Sequence, residues 1–198
     1  MTLNNSWGFH AGDHDWKTPG QVLDLLACAA QGRGNLLLNI GPRGDGSIPE
    51  PSVRVVEAVG GWLQRCGECA YDTEVFTSDL RERGDHRGDW TSHGPYTARE
   101  NRLYLWARRW VPGTFALSGF EMKVQAVRLL GETERPVEFR QEGGRVVLSG
   151  LPDQPTDSVC PVFRFDCDRP PMVYTSGGMR IPKVEHPHYD PCPSDIQH

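Results

Sequence analysis

No apolar run in this sequence approaches the ~18 residues that a membrane-spanning helix needs, and no basic stretch leading into an apolar core marks a signal peptide. Positive charge is also short: 21 Lys and Arg stand against 26 Asp and Glu, for a net charge of -5. Binding to phosphate backbones rests on clustered cations, so neither nucleic acid nor a membrane is an expected partner. The one basic and aromatic spot, Trp106 to Trp110 (WARRW), is better explained by strand alternation than by base stacking. Cysteine is sparse and irregular, at positions 28, 66, 69, 160, 167 and 192, which defines no disulfide framework in a chain of 198 residues. A hydrophobic fraction of 37% with 22 Gly and 16 Pro disfavours a helical bundle. There is no internal repeat.

What is present changes character along the chain. Thr18, Pro19 and Gln21 form a helix start, with a capping hydroxyl, a proline in the first turn and a Gln able to reach back. Val22, Leu23, Leu25, Leu26, Ala29 and Ala30 give that helix an apolar face, and Gly32 and Gly34 end it. The run Leu36, Leu37, Leu38 and Ile40 lacks polar alternation, the pattern of a strand covered on both faces in a parallel sheet. A Gly and Pro loop follows, then a second helix carrying Val53, Val56, Val59, Trp62 and Leu63 at helical spacing, with Gly60-Gly61 as its weak point. A single parallel strand has no neighbour for its backbone groups, and two helices lack a full sheet to cover. The segment before residue 70 is therefore expected to be unstable by itself.

From about residue 72 the period becomes two. RLYLWARR, TFALSGF, VQAVRLLG, VEFRQ, RVVLSGL and VCPVFRFDC are short strand candidates, with a hairpin turning at Gly143-Gly144. They predict an antiparallel β-sandwich over 72–168. The six prolines from Arg169 onward predict an extended or disordered tail over 169–198.

Few constellations suggest chemistry. His10 and His14, beside Asp13 and Asp15, have a spacing that a helix could turn into a metal pair. Gly8 and Gly12 argue against the helix, so a loop whose side chains satisfy local backbone is the expectation, without a metal. Cys66 and Cys69 have half the spacing of a zinc site, but Cys160 and Cys167 make a poor second half. GPRGDGSIPE could cradle an anion, yet it lacks the Lys-Ser/Thr pair of a phosphate loop. No carboxylate pair is set by spacing as an acid and a nucleophile.

The segments NNSWGF, GDHDWKTPGQVLDLL, GRGNLLLNIGPRGDGSIPE and VGGWLQRCGECAYDT resemble the alpha-L-fucosidases of glycoside hydrolase family 29, almost continuously over residues 4–73. The resemblance implies α/β structure followed by all-β: the last strands and helices of a TIM-like (β/α) barrel over 1–71, then the C-terminal β-sandwich. It also implies that Met1 lies inside a domain. The family's Asp nucleophile, its Glu acid/base and the histidines of its sugar pocket belong to strands that would precede Met1. No catalytic residue is then expected in this sequence, and no turnover from it alone.

Two residues carry over as substrate-binding candidates. Trp7 matches the aromatic that lines the family's sugar pocket, and Asn39 lies near the C-terminal end of the last barrel strand, where barrel sites are built. Phe9 stands where the family often has Tyr. The implied whole is a retaining hydrolase of terminal alpha-linked L-fucose, with two carboxylates about 5 Å apart and no metal or other cofactor. Its partners would be a fucosylated glycan or glycoside and the N-terminal barrel segment. The rival expectation is a non-catalytic carbohydrate-binding or accessory module, which exposed tryptophans on one sheet face would favour.

Overall fold

The helix start at Thr18 is built as its residues require. In a computed structural model that describes residues 1–74 and 93–172, the Thr18 hydroxyl accepts from the Gln21 amide at 3.2 Å, and Gln21 Oε1 accepts from the Thr18 amide at 2.8 Å. Helix α1 (Pro19–Gln31) runs from this cap to Gly32. Helix α2 (Glu50–Cys66) passes through Gly60-Gly61 unbroken, and a single 3-10 turn (Gly67–Cys69) follows it. The Gly pair survives because Trp62, next to it, is fully buried and anchors the helix against the rest of the molecule.

Eight antiparallel strands are described: β1 (Tyr96–Arg99), β2 (Arg102–Trp106), β3 (Gly113–Ser118), β4 (Val124–Leu129), β5 (Arg135–Pro136), β6 (Glu138–Glu142), β7 (Arg145–Leu151) and β8 (Val162–Cys167). They form a five-stranded sheet in the order β1-β2-β8-β4-β5 and a three-stranded sheet in the order β3-β7-β6. The alternation read from the sequence puts Leu103, Leu105, Val127, Leu129, Phe163 and Phe165 of the first sheet into one core with Phe115, Leu117, Val146 and Leu148 of the second. The β6–β7 hairpin pairs Glu142 with Arg145, and Gly143 between them adopts φ +56°. Most of the expected tail, from residue 173 on, lies outside the described residues, as does 75–92.

The helices are not left without a sheet to cover. Leu23, Ala27, Trp62, Cys66 and Cys69 share a second core cluster with Tyr104, Trp106 and Val162, on the face of the five-stranded sheet turned away from the first core. Trp62 and Trp106 meet at 4.9 Å between ring centroids, and Trp62 Nε1 donates to the Cys160 carbonyl at 2.7 Å. Trp106 Nε1 donates to Thr97 Oγ1 at 2.9 Å, and that hydroxyl donates to the Cys69 carbonyl at 2.6 Å. Arg65 pairs with buried Asp157 at 2.7 Å. Arg164 of β8 bridges Glu68 of the 3-10 turn and Glu134, so charge as well as apolar area ties the turn to the sheet. The expectation that the helical segment lacks cover is thus corrected. Its cover comes from residues 28 to 98 positions away, as in Thr97 to Cys69 and Trp62 to Cys160, a pairing that periodicity within the segment cannot reveal.

A second correction concerns residues 36–40. They form an extended segment with one parallel bridge, Asn39 to Thr2, rather than a strand covered on both faces. Leu38 and Ile40 pack toward Leu3, Val22 and Val55, whereas Leu37 is 73% exposed. The cause is the shortage of neighbours: residues 1–3 pair with one edge, and nothing described pairs with the other.

Candidate functional site

The N-terminal residues are held by this bridge, by the Met1 ammonium donating to the Leu37 carbonyl at 2.8 Å and by the Lys17 amide donating to the Leu3 carbonyl at 2.7 Å. The Leu3 amide donates to the Asn39 carbonyl at 3.0 Å and the Asn39 amide to the Met1 carbonyl at 2.8 Å, while Leu3 itself is buried beneath Trp16, Leu38 and Ile40. Trp16 Nε1 donates to Ser52 Oγ of α2 at 3.1 Å. Residues 7–9 are thereby carried over the end of the 36–40 segment.

There the two sequence candidates meet. Asn39 Nδ2 donates to the Trp7 carbonyl, so the Asn39 side chain ties the loop to the end of the 36–40 segment. Gly41, at φ +54°, lies directly under the same loop: a Cβ there would stand 3.3 Å from the Gly8 carbonyl carbon and 3.4 Å from both Trp7 O and Phe9 N. Glycine takes that backbone angle and that approach without strain. Held this way, Trp7 is 63% exposed and Phe9 42% exposed, on either side of Gly8, whose own Cβ position has nothing within 4 Å.

The following loop adds a cation. Arg43 places its guanidinium carbon 5.3 Å from the Phe9 ring centroid, and its Nη1 donates to Ser47 Oγ at 3.3 Å and to the Ile48 carbonyl at 3.4 Å. Ser47 is itself fixed by Asp45 Oδ1, which accepts from its amide at 2.9 Å and its hydroxyl at 2.7 Å. Those two bonds, the hydroxyl's first, hold the Asp45 carboxyl below its usual range, with Arg43 contributing. Sequence reasoning missed Arg43 and Gly41. The only available signal was the density of glycines in GNLLLNIGPRGDG, which marks close backbone approach without naming what approaches.

The other constellations have local duties. His10 Nδ1 accepts from the Gly12 amide at 3.2 Å, Asn5 Nδ2 donates to Asp15 Oδ2 at 3.0 Å, and Asp13 Oδ1 accepts from the Asp15 amide at 3.3 Å. The Ser6 hydroxyl, and then the neighbouring backbone amides, keep the Asp13 carboxyl below its usual range against the opposing effect of burial. Among the described residues no three His, Cys, Asp or Glu side chains gather as a metal site would require. Cys66, Cys69, Cys160 and Cys167 are buried free thiols, and burial pushes Cys66, Cys160 and Cys167 up to about 12 and Cys69 well up, so none is a ready nucleophile.

Comparison with known proteins points in one direction. Residues 1–68 match the protein family described as Alpha-L-fucosidase. Human plasma alpha-L-fucosidase is 36% identical over 81 residues, which are 39% of this chain and 17% of that protein. The rat plasma enzyme is 30% identical over 139 residues, 68% of this chain and 28% of its own length. The chain thus matches less than a third of the length of either. Among solved structures, alpha-L-fucosidase isoenzyme 1 from Paenibacillus thiaminolyticus superposes with a TM-score of 0.71 at 28% identity, over 85% of this chain and 39% of that one. The alpha-L-fucosidase of Vibrio sp. strain EJY3 gives 0.72 at 25% identity, over 87% and 30%.

Proposed function

We propose that this chain, whose sequence and fold match the C-terminal part of the alpha-L-fucosidases, supplies one wall of the sugar pocket in a retaining hydrolase of terminal alpha-linked L-fucose. In this reading residues 1–71 close the catalytic barrel and the two sheets form the sandwich behind it. The observation that carries it is the clamp of Asn39 and Gly41 on residues 7–9, which presents Trp7 to solvent at the end of an extended segment with one unpaired edge. A parallel segment open on one side is what the last member of an incomplete barrel would look like. Trp7 offers an apolar face to the sugar, and Asn39 acts through Trp7 by holding its backbone.

Cleavage with retention needs a carboxylate nucleophile and a carboxylic acid on opposite sides of the scissile bond, about 5 Å apart. In this reading both come from barrel strands that match no part of these 198 residues. The chain alone should release no product from an aryl alpha-L-fucoside, and mixing it with a fucosidase barrel segment that lacks this portion should produce activity. In the completed enzyme Trp7→Ala should lower kcat/KM about ten- to a hundredfold, the order of ~1.4–3 kcal/mol of lost pocket contact. Turnover by the chain alone, abolished in Asp13→Asn or Asp15→Asn, would overturn the reading. The accessory-module alternative finds no support in the sheets: Trp106 is buried, Trp110 stacks on Phe163 at 5.7 Å, and Trp7 is the one strongly exposed tryptophan among the described residues.

A further inference from the structure

We infer that Phe9 and Arg43 form a second sugar position, for the neutral pyranose to which the fucose is attached; the inference rests on the reading of Trp7 as a wall of the fucose pocket. Three observations converge on it. Gly8 leaves a bare strip of backbone between two exposed aromatics, with nothing within 4 Å of where a side chain would begin. Phe9 thus offers a ring face one residue beyond Trp7, across a gap that no side chain fills. Arg43 lies against that ring and is anchored through Nη1 to Ser47 and Ile48, which leaves Nε and Nη2 as fixed donors.

An aromatic face beside preorganised donors suits a sugar, whose C–H faces are apolar and whose rim carries hydroxyl acceptors. A neutral ring fits better than an anionic one, because Asp45, fixed to Ser47 of the same loop, already opposes the Arg43 charge. Arg43 and Phe9 would then set preference for the leaving group, while Trp7 meets the fucose.

The test uses the 198-residue chain, labelled with 15N and mixed with an unlabelled fucosidase barrel segment that lacks this portion and whose nucleophile is replaced, and two probes: methyl alpha-L-fucoside and the methyl glycoside of alpha-L-fucosyl-(1→2)-galactose. Binding of either probe should shift the Trp7 indole resonance. The disaccharide should bind about two- to fivefold more tightly, the size of one exposed ring and cation contact. That advantage should vanish in Phe9→Ala and in Arg43→Met, with the affinity for methyl alpha-L-fucoside unchanged in both. A Trp7 shift accompanied by no disaccharide advantage, or by an advantage that persists in both variants, would overturn the inference alone. The absence of any Trp7 shift would overturn the pocket reading and the inference together.

Discussion

At the scale of single residues, one side-chain amide gives Asn39 a role in the free protein. Its Nδ2 holds the Trp7 carbonyl, so Asn39→Ala should alter the free protein by releasing residues 7–9, whether or not Asn39 also meets the sugar. The expected cost is small, about 1 kcal/mol for one partly exposed hydrogen bond, but acrylamide quenching of Trp7 should increase measurably. Unchanged quenching would show that this bond does not hold residues 7–9 in place. Trp7 itself was a candidate from its surroundings in NNSWGF, and the fold leaves its side chain exposed. Arg43 was not legible, because its partner Phe9 lies 34 positions earlier and no local pattern connects them.

At the scale of elements, the contact between α2 and the five-stranded sheet outweighs any propensity within the helix. Trp62→Ala removes a fully buried indole, its tilted ring contact with Trp106 and its bond to the Cys160 carbonyl, so urea denaturation should show a loss of about 3–5 kcal/mol. The same layer predicts an alkaline limit. Burial lifts the thiols of Cys66 and Cys160 from 9.0 to about 12, so as pH rises the unfolded chain ionises first. Their contribution to stability is whole below about pH 9 and is lost as pH climbs from there toward about 12. Urea midpoints should therefore fall between pH 8.5 and pH 10.5, a range chosen as roughly the start of that window, and fall less steeply in Cys66→Ala.

At the scale of the whole molecule, helices and sheets share a core, so they should open together. Native-state hydrogen exchange should give α2 protection close to that of β2 and β8, with the Leu38 and Ile40 amides exchanging much faster. Those two amides have no backbone partner among the described residues. Fast exchange throughout α2 would show that the helices gain little from the sheet. Slow exchange at Leu38 and Ile40 would mean that the open edge is already paired in solution, for instance by a second copy of the chain.

Local sequence determined what local energetics control. The capping box at Thr18, the extent of α1, the hairpin at Gly143 and the alternation that turns Phe163 and Phe165 into the core all follow from interactions within a few residues, or from a two-residue period on one strand. The lone bridge at Asn39 was not legible, since the apolar run at 36–40 reads as a strand covered on both faces and its partners lie more than 30 residues earlier. Only the tertiary structure decided that α1 and α2 pack on the five-stranded sheet, that Asn39 serves Trp7, and that Arg43 lies over Phe9. These contacts join positions from 32 to nearly 100 residues apart, as in Asn39 to Trp7 and Trp62 to Cys160. Such pairings depend on how surfaces meet in space, and periodicity along the chain records only that each surface exists.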